Sequence, residues 1–324
     1  MDFRRELIIK PFPEKINIKD PIMLVGSCFS DNLGEKLQHN RFNAMINPSG
    51  TMFNPISITR ALTSYITGRP YDHSMIFKTQ EWWTSWDHHT RFSHADPDAL
   101  LGMVNSSLNE AHDFLRKTKW LIITLGSAWV YQLENGDVVA NCHKVPADKF
   151  RKKLLAVEDV LSALDNLIHR LFIYSPGIKI MFTISPVRHL RDGFIENNRS
   201  KAVLIQAVHH LVDKFSNLYY FPSYELVIDD LRDYRFYSED MVHPNYQATE
   251  YVWQKFVAAC MDRATLSVME EINQINAARA HKPFQPDSEA HKKFRRKQYD
   301  TLIRLAEEYP FIDWQHDMDH FRDQ

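Results

Sequence analysis

Pro21-Ile22-Met23-Leu24-Val25-Gly26-Ser27-Cys28-Phe29-Ser30-Asp31 reads as a short apolar strand, a tight turn on a small residue and the start of a helix. The helix is expected from an amphipathic spacing through Leu33, Leu37 and Phe42, with Ser30 or Asp31 as its cap. A strand, a glycine turn and a helix in that order carry the turn residues to the carboxyl edge of a sheet, where open α/β folds place their chemistry. Two side chains able to act as nucleophiles, Ser27 and Cys28, occupy that turn.

The same order recurs along the chain. A helical stretch over 97–118 leads into a strand at Trp120–Leu125, which stops at Gly126-Ser127-Ala128-Trp129. Residues 130–139 read as a hairpin about Asn135-Gly136-Asp137. A helix over 159–174 ends at Ser175-Pro176-Gly177, and a strand over 178–184 stops at the loop Ser185-Pro186-Val187-Arg188-His189-Leu190-Arg191-Asp192-Gly193. A helix through Ala202, Ile205, Val208 and Leu211 and a strand over 218–221 follow. This alternation specifies a mainly parallel sheet covered on both faces, because each crossover must pass over one face.

Asp240-Met241-Val242-His243-Pro244-Asn245 precedes a helical pattern that begins near Tyr246. An Asp three residues before a His can accept a hydrogen bond from one ring nitrogen and leave the other facing a reactant. The same spacing also suits a plain helix start, with Asp as cap and His on the surface. Residues 46–55 are dense in turn formers. The Gly50 amide and the Asn47 or Asn54 side chain are candidate oxyanion donors there, while Asn-Pro pairs also serve simply to initiate turns. Residues 81–94 gather Trp82, Trp83 and Trp86 with Asp87, His88, His89 and His94. Clustered tryptophans suit stacking on a sugar ring or lining an apolar pocket, and they equally suit a hydrophobic plug over the core. The His and Asp spacing matches no standard metal site, so neither a metal nor a cofactor is expected.

At 324 residues, 44% hydrophobic and 12% aromatic, the chain can bury one large core, or a core plus an appendage. Lys+Arg of 39 against Asp+Glu of 41 leaves a formal net charge of -2, so no whole-chain field favours nucleic acid or an anionic membrane. The leading arm, residues 1–20, offers only Leu7, Ile8 and Ile9 before Lys10 and Pro11, too short an apolar run for a secretory signal. No run approaches a membrane span. Cys28, Cys142 and Cys260 are odd in number and lack paired ligand spacing, which disfavours a disulfide framework and a zinc site. A reduced, cytoplasmic location is expected. Past Asp240 the pattern is helical, and the basic run Lys292-Lys293-Phe294-Arg295-Arg296-Lys297 reads as a solvated helix face.

Gly26-Ser27-Cys28-Phe29-Ser30, Asn47-Pro48-Ser49-Gly50, Thr124-Leu125-Gly126-Ser127-Ala128-Trp129-Val130-Tyr131, Ser185-Pro186-Val187-Arg188-His189 and Asp240-Met241-Val242-His243-Pro244 together resemble a GSCFA-family protein. That family is a relative of the SGNH (GDSL-type) hydrolases, and the resemblance covers about residues 20–260. It implies a three-layer α/β/α sandwich with a mainly parallel sheet. A domain at 1–262 is expected, with a C-terminal helical extension at 263–324 packed on it and outside the active site. The superfamily nucleophile, third residue of a Gly-Asp-Ser turn, falls on Cys28, with Ser27 before it. The Asp-x-x-His pair falls on Asp240 and His243, and the second glycine, an oxyanion donor, on Gly50. The Gly-x-Asn-Asp segment falls on Gly126-Ser127-Ala128-Trp129, so its Asn is absent and Asn47, Asn54 or Ser127 is left to substitute. Gly126, Arg188 and His189 complete the candidate substrate-binding set.

The activity so implied is that of an esterase or acyltransferase acting on a small acyl ester, such as acetyl, of a hydroxyl-rich substrate such as a carbohydrate. The other reading is a catalytically idle fold that binds a glycan or a protein, since fold alone does not confer activity. Cys28, at a helix start and opposite His243, is expected to have a lowered thiol pKa. Ser27 remains the alternative nucleophile, with Cys28 packed beneath the sheet.

Overall fold

The computed structural model describes residues 5–322, so the first four residues of the leading arm lie outside the described residues. Strand β1 (Ile22–Gly26) runs into helix α1 (Cys28–His39), followed by β2 (Ala44–Ile46), α2 (Pro55–Thr67), a hairpin of β3 (Phe77–Thr79) and β4 (Trp82–Thr84), α3 (Pro97–Lys117) and β5 (Trp120–Leu125). Next come β6 (Trp129–Gln132), β7 (Val138–Val139), β8 (Arg151–Leu154), α4 (Val157–Tyr174), β9 (Lys179–Ile184), α5 (Phe194–Lys214) and β10 (Leu218–Tyr220). The rest is helical. A one-turn α6 (Ser223–Glu225) continues into a π-helical turn at Leu226–Leu231, and α7 (Tyr246–Cys260), α8 (Arg263–Ala280), α9 (Glu289–Glu308) and α10 (Gln315–Phe321) follow.

Five parallel strands form the central sheet in the order β10-β9-β5-β1-β2. From β1 the chain steps outward to β2 and then returns to the other side of β1 to lay down β5. That reversal leaves a crevice at the carboxyl ends of β1 and β5, the place where open α/β sheets admit ligands.

Strand side chains alternate between faces, and here both faces are buried. Met23, Val25, Leu121, Ile123, Ile180 and Phe182 join a core with residues of α2, α3, α4 and α5. Ile22, Leu24, Trp120, Ile122 and Met181 face the other way, onto Phe29 and Leu33 of α1, Val252 and Phe256 of α7 and Ile272 of α8. The architecture is therefore the expected α/β/α sandwich. Leu302 and Leu305 of α9 and Phe321 of α10 lie in that second core as well. Asp317 of α10, fully buried, accepts from Arg41 Nη2 at 2.9 and 2.8 Å and from Arg279 Nη1 at 2.9 Å, fastening the last helix to the end of α1 and to α8.

Three local differences from the sequence reading have a common cause. β2, the β3–β4 hairpin and β8 are segments of three or four residues, too short to show a period, and pairing with neighbours defines them. No helix among the described residues is long and apolar enough to cross a membrane.

Candidate active site

The turn between β1 and α1 is shaped by close approach. Gly26 has φ 142°, and a Cβ there would fall 2.1 Å from the Thr124 carbonyl oxygen, so only glycine lets β1 lie against β5 at this point. The helix cap is Ser27 and not Ser30 or Asp31: its side chain accepts from the Phe29 amide at 3.4 Å, and α1 starts at Cys28. Ser27 is 1% exposed, and its own amide donates to the Thr124 carbonyl at 3.1 Å. Cys28, the first helical residue, is half-buried.

Burial, then the Asp31 carboxylate, push the Cys28 thiol above its ordinary range, outweighing the amides of Cys28 and Phe29 and the Lys201 ammonium, which pull it down. The expected lowering at the helix start is thus overturned. The amide effect is present, but loss of water and a carboxylate one turn away exceed it. Asp31 is fixed in place by Asn47 Nδ2 at 2.7 Å and Thr51 Oγ1 at 3.1 Å.

Asp240 and His243 form a hydrogen-bonded pair on the loop before α7. His243 Nδ1 lies 2.6 Å from Asp240 Oδ2, and Oδ1 accepts the amides of Val242 and His243, each at 2.9 Å. These bonds, led by the His243 amide and followed by its ring and the Val242 amide, hold the Asp240 carboxyl down at about 2. Asp240 does not cap α7; Asn245 does, accepting from the Ala248 amide at 3.1 Å. The carboxylate is therefore free to orient the ring. His243 lines a small cavity of about 30 Å³ with Phe29 and Asn32 of the first turn of α1 and with Pro186 and Val187 after β9.

The candidate oxyanion donors are mostly engaged elsewhere. The Gly50 amide donates to the Asn47 carbonyl at 2.7 Å, inside its own turn. Gly50 is held there for a packing reason: its φ is 87° and a Cβ would fall 2.2 Å from the His89 Cβ. Asn47, fully buried, accepts from the Gly26 amide at 2.8 Å while its Nδ2 holds Asp31. Asn54 caps α2 through the Ser57 amide at 2.8 Å, and its Nδ2 donates to Ser57 Oγ at 3.0 Å. The amides of Gly126 and Ser127 both donate to the Phe53 carbonyl, at 2.8 and 2.9 Å, and Ser127 Oγ accepts from the Trp129 amide at 3.0 Å. Sequence placed these groups near the turn, but their hydrogen bonds build the loops that frame it.

His189 is different. Its ring is neutral, with burial first and then the Lys201 and His243 charges lowering its pKa to about 4. Its Nε2 is buried with no hydrogen-bond partner and lies 3.3 Å from where a Cβ on Gly126 would stand. Arg188, next to it, lies over the Tyr237 ring at 5.4 Å and has no acidic partner among the described residues.

The GSCFA family model matches residues 21–256, and a second, described as GSCFA domain protein, C-terminal domain, matches residues 272–324. The chain belongs to the GSCFA family. None of the curated proteins matches it. Among solved structures it is similar to an acetyl xylan esterase (Est2A) from the rumen bacterium Butyrivibrio proteoclasticus, at 10% identity and a TM-score of 0.35. That likeness covers 78% of this chain and 66% of the esterase, just under two thirds of its length.

One residue of this GSCFA chain escaped the sequence reading. Lys201 of α5 is 1% exposed, and its Nζ donates to the carbonyls of Gly126 at 2.7 Å and Ser185 at 2.6 Å. Burial pulls its pKa down from 10.5 to about 7. A signal existed: Lys201, Leu204 and Val208 share the buried face of α5 at helical spacing, so a charge stands where a core residue is expected. The aromatic segment packs inward for the most part. Trp86 stacks on Phe77 with centroids 3.7 Å apart, His88 is buried, and Arg91 Nη2 donates to the Asn47 carbonyl at 2.5 Å, so the segment braces the 47–50 turn. Trp82 alone of its three tryptophans is well exposed. Asp87 pairs with Arg60 at 2.8 Å, and among the described residues no group of three His, Cys, Asp or Glu side chains is placed to hold a metal.

Proposed function

We propose that this GSCFA chain is an ester hydrolase or acyltransferase in which Cys28 attacks the carbonyl carbon of a small acyl ester. His243 Nε2 takes the thiol proton as the carbon–sulfur bond forms and returns it to the alcohol oxygen as the carbon–oxygen bond breaks. Asp240 holds the ring through Nδ1. Water, or a second hydroxyl, then releases the acyl group from sulfur with His243 again as base. Cys28 is favoured over Ser27 because the Ser27 hydroxyl caps α1 and is almost wholly buried. With Asn47, Asn54 and Gly50 engaged, the neutral His189 ring is the best remaining side-chain donor for the oxyanion, beside the helix-start amides.

The observation that carries this reading is the 2.6 Å His243–Asp240 bond on a loop whose imidazole shares a cavity with the first turn of α1. Arg188 and the exposed Trp82 are surfaces suited to a carbohydrate acceptor. Chromogenic esters from acetyl to octanoyl test the proposal: turnover should be highest for acetyl, and no turnover by the pure protein with any of them would sink it.

The committed amides and the raised Cys28 thiol favour a second reading, an idle fold that binds a glycan. Calorimetry with acetylated and deacetylated oligosaccharides separates the two. Tight binding without turnover, unaffected by His243→Ala, would support the idle fold.

A further inference from the structure

The chemistry proposed above gives Arg188 no charge to meet. Arg188 follows Val187, which lines the cavity together with His243 and Pro244. Its guanidinium carbon stands 5.4 Å from the Tyr237 ring centroid and 5.9 Å from that of Phe194 at the start of α5. Tyr237 belongs to the stretch that holds the His243 loop. It bridges Pro244 in the antiparallel sense, the Ser238 amide donates to the His243 carbonyl at 2.8 Å, and the Asn245 amide donates to the Phe236 carbonyl at 2.9 Å. The guanidinium is therefore fixed beside the cavity, one residue from its wall on one side and one ring from the His243 loop on the other. Half-buried there, it makes no hydrogen bond and no ion pair among the described residues. The neighbouring acids are taken: Asp192 by Lys152, Glu196 by Arg199, Asp233 by Arg235 and Asp240 by His243. A ring face offsets only part of what a guanidinium loses on leaving water.

We propose that Arg188 binds an anionic group, a carboxylate or a phosphate, on the substrate of the Cys28–His243 site. The inference rests on the reading above for the place of that site, and it adds the charge of the molecule that enters. An oxyanion satisfies a planar guanidinium through two parallel hydrogen bonds, whereas a sugar hydroxyl accepts one at a time. The surroundings suit the rest of such a molecule. Phe194 is exposed beside the cation, and the exposed Tyr234 ring, its centroid 5.8 Å from that of Tyr237, extends the aromatic surface away from it. Sugar rings stack on such faces through their C–H groups while their hydroxyls stay in water. An acidic carbohydrate, a uronate or a sugar phosphate, meets both the cation and the rings.

The test is calorimetric binding of glucuronate, glucose 6-phosphate and glucose to the full chain. None of the three is an ester, so binding is read whether or not any ester is turned over. At least one anionic probe should bind about tenfold tighter than glucose, and Arg188→Met should bring that ratio to about one. Arg188→Lys, which keeps the charge and loses the fork, should retain an intermediate preference. Preference for glucuronate alone assigns a carboxylate, and preference for glucose 6-phosphate alone a phosphate. No preference for either anion in the wild type would overturn the proposal. So would a preference that survives in folded Arg188→Met, which would leave Arg188 as a packing partner of Tyr237 only. Where Arg188→Met does not fold, NMR of the Arg188 Nε in the wild type gives the same reading: its signal should move with an anionic probe and not with glucose, and a signal unmoved by both anions would overturn the proposal. A charge preference without ester turnover rejects the proposed activity and leaves the Arg188 site standing; turnover of neutral esters without a charge preference does the reverse.

Discussion

His243 is about half exposed, so its ring is oriented by Asp240 and not by packing. His243→Ala should lower ester turnover by on the order of 10³-fold with an unchanged circular-dichroism spectrum. Asp240→Asn should retain activity but at a rate on the order of 10²- to 10⁴-fold lower, since an amide no longer selects the productive tautomer. An unimpaired Asp240→Asn enzyme would mean that the ring needs no carboxylate. The pH range follows from the depressed Asp240 pKa. Its folded value, about 2, is below the ordinary 3.8, so the loop stabilisation it supplies is complete above 3.8 and is lost as pH falls through about 2. Carboxyl-carbon NMR should find Asp240 ionised at every pH where the protein is active. His189→Ala should cut turnover by about 10²-fold with little change in KM, because a donor to the oxyanion acts in the transition state; a pure KM effect would make His189 a binding residue instead.

At the scale of elements, the β1–α1 turn is the most constrained piece of the chain. Gly26→Ala would bring a methyl group against the Thr124 carbonyl at 2.1 Å with no side chain to swing aside. It should destabilise the protein by about 3 kcal/mol or more, measured by urea unfolding. Asn47→Ala would strand the Gly26 amide and one Asp31 oxygen in a buried site, at a cost of about 2 kcal/mol. Loss of turnover in Asn47→Ala should track the loss of folded protein; a folded but inactive variant would return Asn47 to the oxyanion role. The strand-turn-helix reading of residues 21–31 was legible because apolar runs, glycine and amphipathic spacing are local signals. The cap was misplaced because Ser27, Ser30 and Asp31 are all good capping residues, and only the approach of β5 to Gly26 selects the first.

Across the whole molecule, one sheet is covered by two cores, and the C-terminal helices complete the second of them. Asp317→Ala would remove the shared acceptor of Arg41 and Arg279 and should cost about 3 kcal/mol in urea unfolding, with turnover per folded molecule unchanged. Acid lability should come from histidines held neutral. His88, 3% exposed, has its pKa lowered by burial from 6.5 to about 4. Its contribution is complete above 6.5 and lost as pH falls through about 4, roughly 3 kcal/mol at most. His189 is shifted the same way, so the urea midpoint should fall between pH 7 and pH 4.5, and His88→Phe should flatten part of that decline.

The sequence by itself determined the alternation of strand and helix, the parallel sheet, the turn that carries Ser27 and Cys28 and the Asp240–His243 spacing. Each is encoded within a dozen residues or fewer, through periodicity, turn chemistry and the reach of one side chain to the next turn. Tertiary structure alone decided which donors are free, that the Cys28 thiol is raised, and that Lys201 is buried against two carbonyls without a carboxylate. Those properties depend on desolvation and on charges brought together from residues 28, 31, 126, 185 and 201. Burial and Coulomb energy are set by distance in space, and no local pattern reports that distance.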